Sequence, residues 1–255
     1  TDTPEEELPI QAEYDPVPYE LEIPEWMPKM EIPADNPMTK QGIALGRMLF
    51  FDPILSSDNT IACASCHFPE RSFVDGSKFS KGVNGALGNR NSMSLANVGF
   101  YENGLFWGGR TNTLEGQALE PIEDHTEMNN SWENVESKLS KHEDSPKKFR
   151  EAFGIELASV ITRELVVLAI AQFERTLISG YSRFVLIAAN VLDAGFPTDA
   201  EERGRRLFFF EAAQQEDHPG CSHCHGGPLF SDNRYLNNGI DSVVTLNDFI
   251  DKGRG

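Results

Sequence analysis

The sequence predicts a mainly α fold made of two similar helical domains, and three observations point there. First, one stretch occurs twice. Gly46-Arg47-Met48-Leu49-Phe50-Phe51 leads to Cys63-Ala64-Ser65-Cys66-His67, and Gly204-Arg205-Arg206-Leu207-Phe208-Phe209 leads to Cys221-Ser222-His223-Cys224-His225. In both copies the glycine precedes the first cysteine by the same number of positions, and a Phe-x-Asp follows: Phe73-Val74-Asp75 and Phe230-Ser231-Asp232. Second, apolar residues recur at helical spacing between capping residues, and no stretch of any length alternates as a strand does. Third, 255 residues with 39% hydrophobic content can fill two cores.

Cys-x-x-Cys-His is the attachment signal of a c-type haem. Two thiols add to the haem vinyl groups and the adjacent histidine becomes the proximal iron ligand. The expectation is therefore two covalent haems, one on Cys63, Cys66 and His67 and one on Cys221, Cys224 and His225, each in a cytochrome c-like domain. A dithiol redox pair or a zinc site is the competing reading. A redox pair does not need the histidine, and a four-cysteine zinc site leaves both histidines and the repeated helix unexplained. All four cysteines lie in the two motifs, so none remains for a structural disulfide.

Taken in order, residues 1–37 read as an extended Pro- and Glu-rich arm. Prolines break any regular element there, while Tyr14, Tyr19, Leu21, Ile23 and Trp26 let it lie on a folded surface, its own or a partner's. The first haem domain is expected over 38–181. Thr39 caps a helix through about Phe50, whose Ile43, Leu45, Leu49 and Phe50 share a face. The long loop from Phe68 to Asn97, rich in Gly, Ser and Asn, would wrap the open face of the first haem. A helix follows from about Thr113 to Leu119, ending before Pro121. Ser131 caps another, and Lys138–Arg150 reads as a basic, polar stretch. From Glu156 to about Tyr181, Leu157, Val160, Ile161, Leu165, Leu168, Ala169, Phe173 and Leu177 describe one long amphipathic helix, a spine joining the halves. The second haem domain, 182–255, starts with a helix from Ser182 to Ala194, stopped by Gly195-Phe196-Pro197, and Thr198 caps the helix into Phe208.

A formal net charge of −18 argues against a nucleic-acid partner, since such binders are basic. No apolar run is long enough to span a bilayer. Thr1-Asp2-Thr3-Pro4-Glu5 reads as a mature start. Haem c is attached outside the bacterial cytoplasm, so a periplasmic protein with its leader removed is expected.

Between the motifs lie Arg90-Asn91, Phe106-Trp107-Gly108-Gly109-Arg110, Gln117-Ala118, Glu127-Met128, Phe173-Glu174-Arg175-Thr176-Leu177 and Ser182-Arg183-Phe184. With the two haem signals, this set resembles the bacterial di-haem cytochrome c peroxidase family and its MauG-type relatives. The resemblance runs from about Pro33 onward. It implies that the haems face the domain interface, that hydrogen peroxide reacts at the N-terminal haem and that the C-terminal haem moves electrons. Glu127 would move the protons of O–O cleavage, Gln117 would orient peroxide, and Trp107 would relay electrons between the haems. Asn91 would contribute to a calcium site. The electron source would be a small cytochrome or copper protein. In a MauG-type oxidase the reaction would instead oxidise Trp or Tyr residues of a partner protein, and a non-enzymatic di-haem electron carrier is the third reading. Family members are often dimers, so a homodimer is possible.

The sequence departs from the family in three places. The loop histidine that blocks the first iron in many of these peroxidases falls at Val83, and no histidine occurs between Phe68 and Asn112, which leaves that iron open to peroxide. Gly108 stands where the family usually has Asp. The segment expected to give the second haem its distal Met or Tyr lies beyond Gly255.

Overall fold

The computed structural model describes residues 7–190, 197–209, 220–236, 243, 245–249, 251 and 253. These form two compact units. Residues 7–21, 31–99 and 104–177 make the first; 22–30, 100–103 and the described residues from 178 onward make the second. Among the described residues there is no sheet, only isolated bridges at Pro18–Thr39, Lys81–Leu87 and Leu105–Thr111.

Five helices build the first unit. α1, Lys40–Phe51, starts where the Thr39 side chain accepts the Gly42 N–H, satisfying one of the orphan donors of a helix start. Its buried face, Leu45, Leu49 and Phe50, meets α5, Arg163–Arg175. The approach is close: a Cβ on Gly46 would sit 1.9 Å from the Ala169 carbonyl oxygen. The repeated glycine thus lets two backbones touch in the first copy. α2, Leu114–Glu123, α3, Trp132–Lys141, and α4, Ser145–Phe153, close the core with Ile122, Val135, Leu139 and Phe149, all essentially buried. Each such side chain removed from water contributes roughly 1.5–3 kcal/mol.

Three sequence expectations need correction. The long helix expected over Glu156–Tyr181 is α5 alone. A single turn at Ala158–Val160 precedes it and Thr162 is its N-cap. At its end the Thr176 hydroxyl donates to the Phe173 carbonyl at 2.6 Å, and α5 lies wholly in the first unit. α2 runs through Pro121 rather than ending before it. A proline forgoes its own N–H bond, and here the helix end is held from outside by Met128 N–H on the Pro121 carbonyl and Asp124 N–H on that of Glu120. The polar stretch Lys138–Arg150 contains the start of α4, whose signals are a proline in the first turn, buried Phe149 and a left-handed Gly154 at its end.

The arm packs on its own chain. Ile10 N–H bonds the Glu156 carbonyl, Tyr19 N–H that of Met38 and Lys40 N–H that of Val17. Asn36 is 1% exposed and fully engaged. Its amide donates to Glu115 at 2.7 Å and to the Leu168 carbonyl, and its oxygen accepts from Gln172. Arg175 grips the same Glu115 through both carboxylate oxygens, at 2.8 and 3.1 Å. This buried network ties the arm, α2 and α5 together with every partner matched, the condition under which buried polar groups cost little.

In the second unit, α6, Arg183–Ala188, is capped by Ser182, and α7, Asp199–Phe209, by Thr198, whose hydroxyl accepts the Glu201 N–H. α6 ends at Ala188, with Ala189 as its C-cap; residues 191–194 of the expected longer helix lie outside the described residues.

Candidate haem-binding and active site

Each Cys-x-x-Cys-His folds as one 3₁₀ turn, Cys63–Ser65 and Cys221–His223, with the histidine N–H closing onto the first cysteine's carbonyl at 3.0 and 2.9 Å. The histidine rings are then aimed in the same way. His67 Nδ1 lies 2.9 Å from the Phe73 carbonyl, and His225 Nδ1 lies 3.1 Å from the Phe230 carbonyl. A carbonyl only accepts, so Nδ1 carries the proton and Nε2 keeps a lone pair for a metal. Phe73 and Phe230 both adopt the left-handed conformation, φ 61° and 53°, uncommon for a bulky residue. That turn is what presents each carbonyl. The repeated Phe-x-Asp was visible in the sequence, but its function was not, because a backbone oxygen leaves no mark in side-chain chemistry.

The phenylalanine rings repeat the parallel. Phe50 of α1 packs edge-on to Phe73 with centroids 6.3 Å apart, and Phe208 of α7 packs on Phe230 at 5.9 Å. Burial holds the His67 imidazole below its ordinary pKa, the direction that favours the neutral form a ligand needs. Burial also pushes the Cys63 thiol up and the Cys66 thiol up to about 11. A dithiol redox centre runs on the opposite shift. Among the described residues, no three His, Cys, Asp or Glu side chains gather as a metal ion would require.

Glu127 sits in a pinned turn directly after α2. Asn129 N–H bonds the Asp124 carbonyl, Ser57 N–H that of Met128, and the Asn130 side chain donates to the Leu55 carbonyl at 2.8 Å. Met128 is 3% exposed and anchors the turn in the core. The loop after the first motif lies directly on it. Val83 N–H donates to the Glu127 carbonyl at 2.8 Å, and a Cβ on Gly82 would fall 2.2 Å from the Thr126 carbonyl oxygen. Burial, with the Asp124 charge beside it, pushes the Glu127 carboxyl up to about 7, Arg110 pulling the other way. A carboxyl poised there can both take and return a proton near neutrality.

Gln117 lies half-buried on α2, two residues after the clamped Glu115. Trp107 stands at the tip of a loop closed by Leu105 N–H on the Thr111 carbonyl. It is no core tryptophan: half of it is exposed, and its indole N–H donates to the Asn91 carbonyl at 2.9 Å. Arg110 stacks on Phe106 with its guanidinium 3.4 Å from the ring centroid and pairs with Glu120 of α2. The structure thus brings Trp107 and Asn91 together and joins their loop to the helix bearing Gln117. The Asn91 amide donates to the Ser92 carbonyl. The sequence reading also passed over Glu174, a fully buried α5 carboxyl that burial pushes up to about 8, with one oxygen unpartnered.

Beside the second motif lies a cavity of about 540 Å³, lined by Trp26, Phe184, Arg205, Phe209, Pro228 and Phe230 among others. Its size and apolar walls suit a cofactor.

Helices around two matched haem-attachment turns, each with an oriented histidine, define a class of c-type cytochrome-like protein. The di-haem cytochrome c peroxidase family model matches residues 40–190, and the chain belongs to that family. It is 34% identical over 214 residues to Cytochrome-c peroxidase IdrP1 of Denitromonas iodatirespirans, covering 84% of this chain and 54% of the relative. It is also 34% identical over 208 residues to Methylamine utilization protein MauG of Methylorubrum extorquens, covering 82% and 56%. A crystal structure of a MauG-like protein associated with microbial copper homeostasis superposes with a TM-score of 0.74 at 32% identity, over 84% of this chain and 60% of the other. The chain spans about half the length of the curated relatives it matches.

Proposed function

We propose that the chain carries two covalent c-type haems and is a periplasmic peroxidase, reducing hydrogen peroxide to water with electrons drawn through the second haem from a small redox protein. The observation that carries this reading is the matched pair of histidines, each with Nδ1 on a left-handed phenylalanine carbonyl and Nε2 left for iron. Cys63, Cys66 and His67 would hold the first haem, and Cys221, Cys224 and His225 the second. The haem supplies the iron and the electrons for O–O cleavage.

The protein's own share is proton management. Glu127, ionised, takes the proton from the peroxide oxygen nearer the iron and returns it to the departing one, which leaves as water. The pinned turn fixes the carboxylate without spending binding energy at the moment of reaction. Gln117 orients peroxide by hydrogen bonding and cannot titrate. Trp107 relays electrons, its ring fixed by the Asn91 carbonyl, and Asn91 lends its side-chain oxygen to a calcium ion.

A MauG-type reading is favoured by one observation. Val83, the position that counting back from Arg90-Asn91 gives for the family's blocking histidine, is 3% exposed, and no histidine occurs between Phe68 and Asn112, so that loop offers the first iron no histidine. The reaction would then draw electrons from Trp or Tyr residues of a partner protein. Stopped-flow spectroscopy separates the two. A peroxidase turns over a reduced small cytochrome with peroxide, whereas the MauG-type enzyme barely does so and changes the mass of its partner. Low-spin bis-histidine iron at both haems in the resting ferric EPR spectrum would overturn the open-iron reading.

A further inference from the structure

We propose that Trp26 and Tyr181 form a one-electron relay between the second haem and the protein surface. The proposal rests on the peroxide reading above. Trp26 comes from the arm, more than a hundred residues before the second motif, yet it forms a wall of the second unit's cavity beside Phe230, Pro228, Phe209 and Phe184. Phe230 is the residue whose carbonyl orients His225. The indole therefore borders the space next to the second haem's own proximal segment.

Trp26 is held on two sides. Its N–H donates to the Gly180 carbonyl at 3.0 Å, and its ring meets Tyr181 edge to face, with centroids 5.8 Å apart and planes at 81°. Tyr181 is 58% exposed. The seat is built for this. Met27 N–H closes a turn onto the Pro24 carbonyl, and that turn presses on Gly180 so closely that a Cβ there would lie 2.9 Å from Pro24 Cγ. Pro24 and Met27 are buried. A hydrophobic anchor would need the half-buried Trp26 only. The chain instead ends the series cavity, indole, phenol in water, with the two side chains that give up an electron most readily.

The balance is as follows. Hydrogen peroxide takes up two electrons and two protons and leaves as two waters, so the protein is two electrons short. Trp26 gives one electron toward the second haem. Tyr181 refills Trp26 and releases its phenolic proton to solvent, leaving a neutral tyrosyl at the surface. The external redox protein then returns an electron and water returns the proton; a second passage through the same relay supplies the other electron, and solvent supplies the two protons that peroxide takes up.

The test adds one equivalent of hydrogen peroxide, without donor, to the haem-loaded protein, followed by freeze-quench EPR and by peptide mass spectrometry for oxidation at Trp26 and Tyr181. The wild type should give a tyrosyl signal. Trp26→Phe, which keeps an aromatic wall, should lose it. Tyr181→Phe, at an exposed site that tolerates the change, should convert the signal to an indole radical. An equal tyrosyl signal in Trp26→Phe, or oxidation at neither residue, overturns the relay while the haem spectrum still responds to peroxide. If the wild-type haem spectrum does not change at all, the peroxide reading fails and the relay falls with it.

Discussion

Glu127 and Glu174 are two buried carboxyls with elevated pKa values and different consequences. For Glu127, catalysis needs the ionised form, so the rate of the peroxide-induced spectral change should climb with pH through about 7. Glu127→Gln should slow it by about 10²–10⁴-fold and flatten the climb, as read by stopped flow. Glu174 bears on stability. Its pKa is about 8 in the fold against an ordinary 4.5, so the folded state binds a proton that the unfolded state releases. Its contribution is fullest below 4.5 and is lost as pH rises to about 8, at about 1.4 kcal/mol per pH unit in between. Urea unfolding at pH 5 and pH 8 should show a fall of a few kcal/mol that Glu174→Gln reduces, the raised Glu127 carboxyl contributing the remainder up to about pH 7. An equal fall in both proteins would mean that another group is titrating. Glu127 was legible from its neighbours in the sequence. Glu174 was not, since a carboxylate inside a charged-looking Phe-Glu-Arg-Thr string gives no sign that it will be buried.

At the scale of elements, the two copies of the repeat are not equally packed. The Gly46 Cβ position collides with the Ala169 carbonyl, while a Cβ on Gly204 meets nothing within 4 Å. Gly46→Ala should therefore force α1 away from α5 and cost roughly 1–3 kcal/mol or more. Gly204→Ala, in the interior of α7, should be neutral or stabilising by up to about 1 kcal/mol. Thermal melts of the two variants check both signs. Caps made several helix starts readable: Thr39, Ser131 and Thr198 act as expected, while Ser182, expected as the first helical residue, is itself a cap. Helix ends were less readable. α5 ends where a hydroxyl folds back on its own last turn, and α2 is prolonged past Pro121 by bonds from residues after it. Neither follows from periodicity.

For the whole molecule, the helical class followed from periodicity and caps, and the two Cys-x-x-Cys-His turns stood out because each is a fixed string of residues. Where the arm would lie was undecided in the sequence, since its prolines forbid regular structure and its contacts, backbone bonds and the Asn36 network alike, reach residues far along the chain. A pyridine haemochrome assay should find two haems per chain, and replacing both cysteines of either motif by alanine should leave one. Loss of both haems from either double variant would show that the two motifs do not load independently.

One consequence of the two left-handed phenylalanines reaches past the site itself. The group that polarises each imidazole belongs to the peptide chain, so point substitutions of side chains leave it standing. If His67 and His225 hold iron as proposed, the curvature of a short loop becomes one of the variables that set how strongly each imidazole is polarised. A glycine at position 73 or 230 would preserve the oxygen yet relax its aim, making flexibility of the main chain a tuning variable for redox potential.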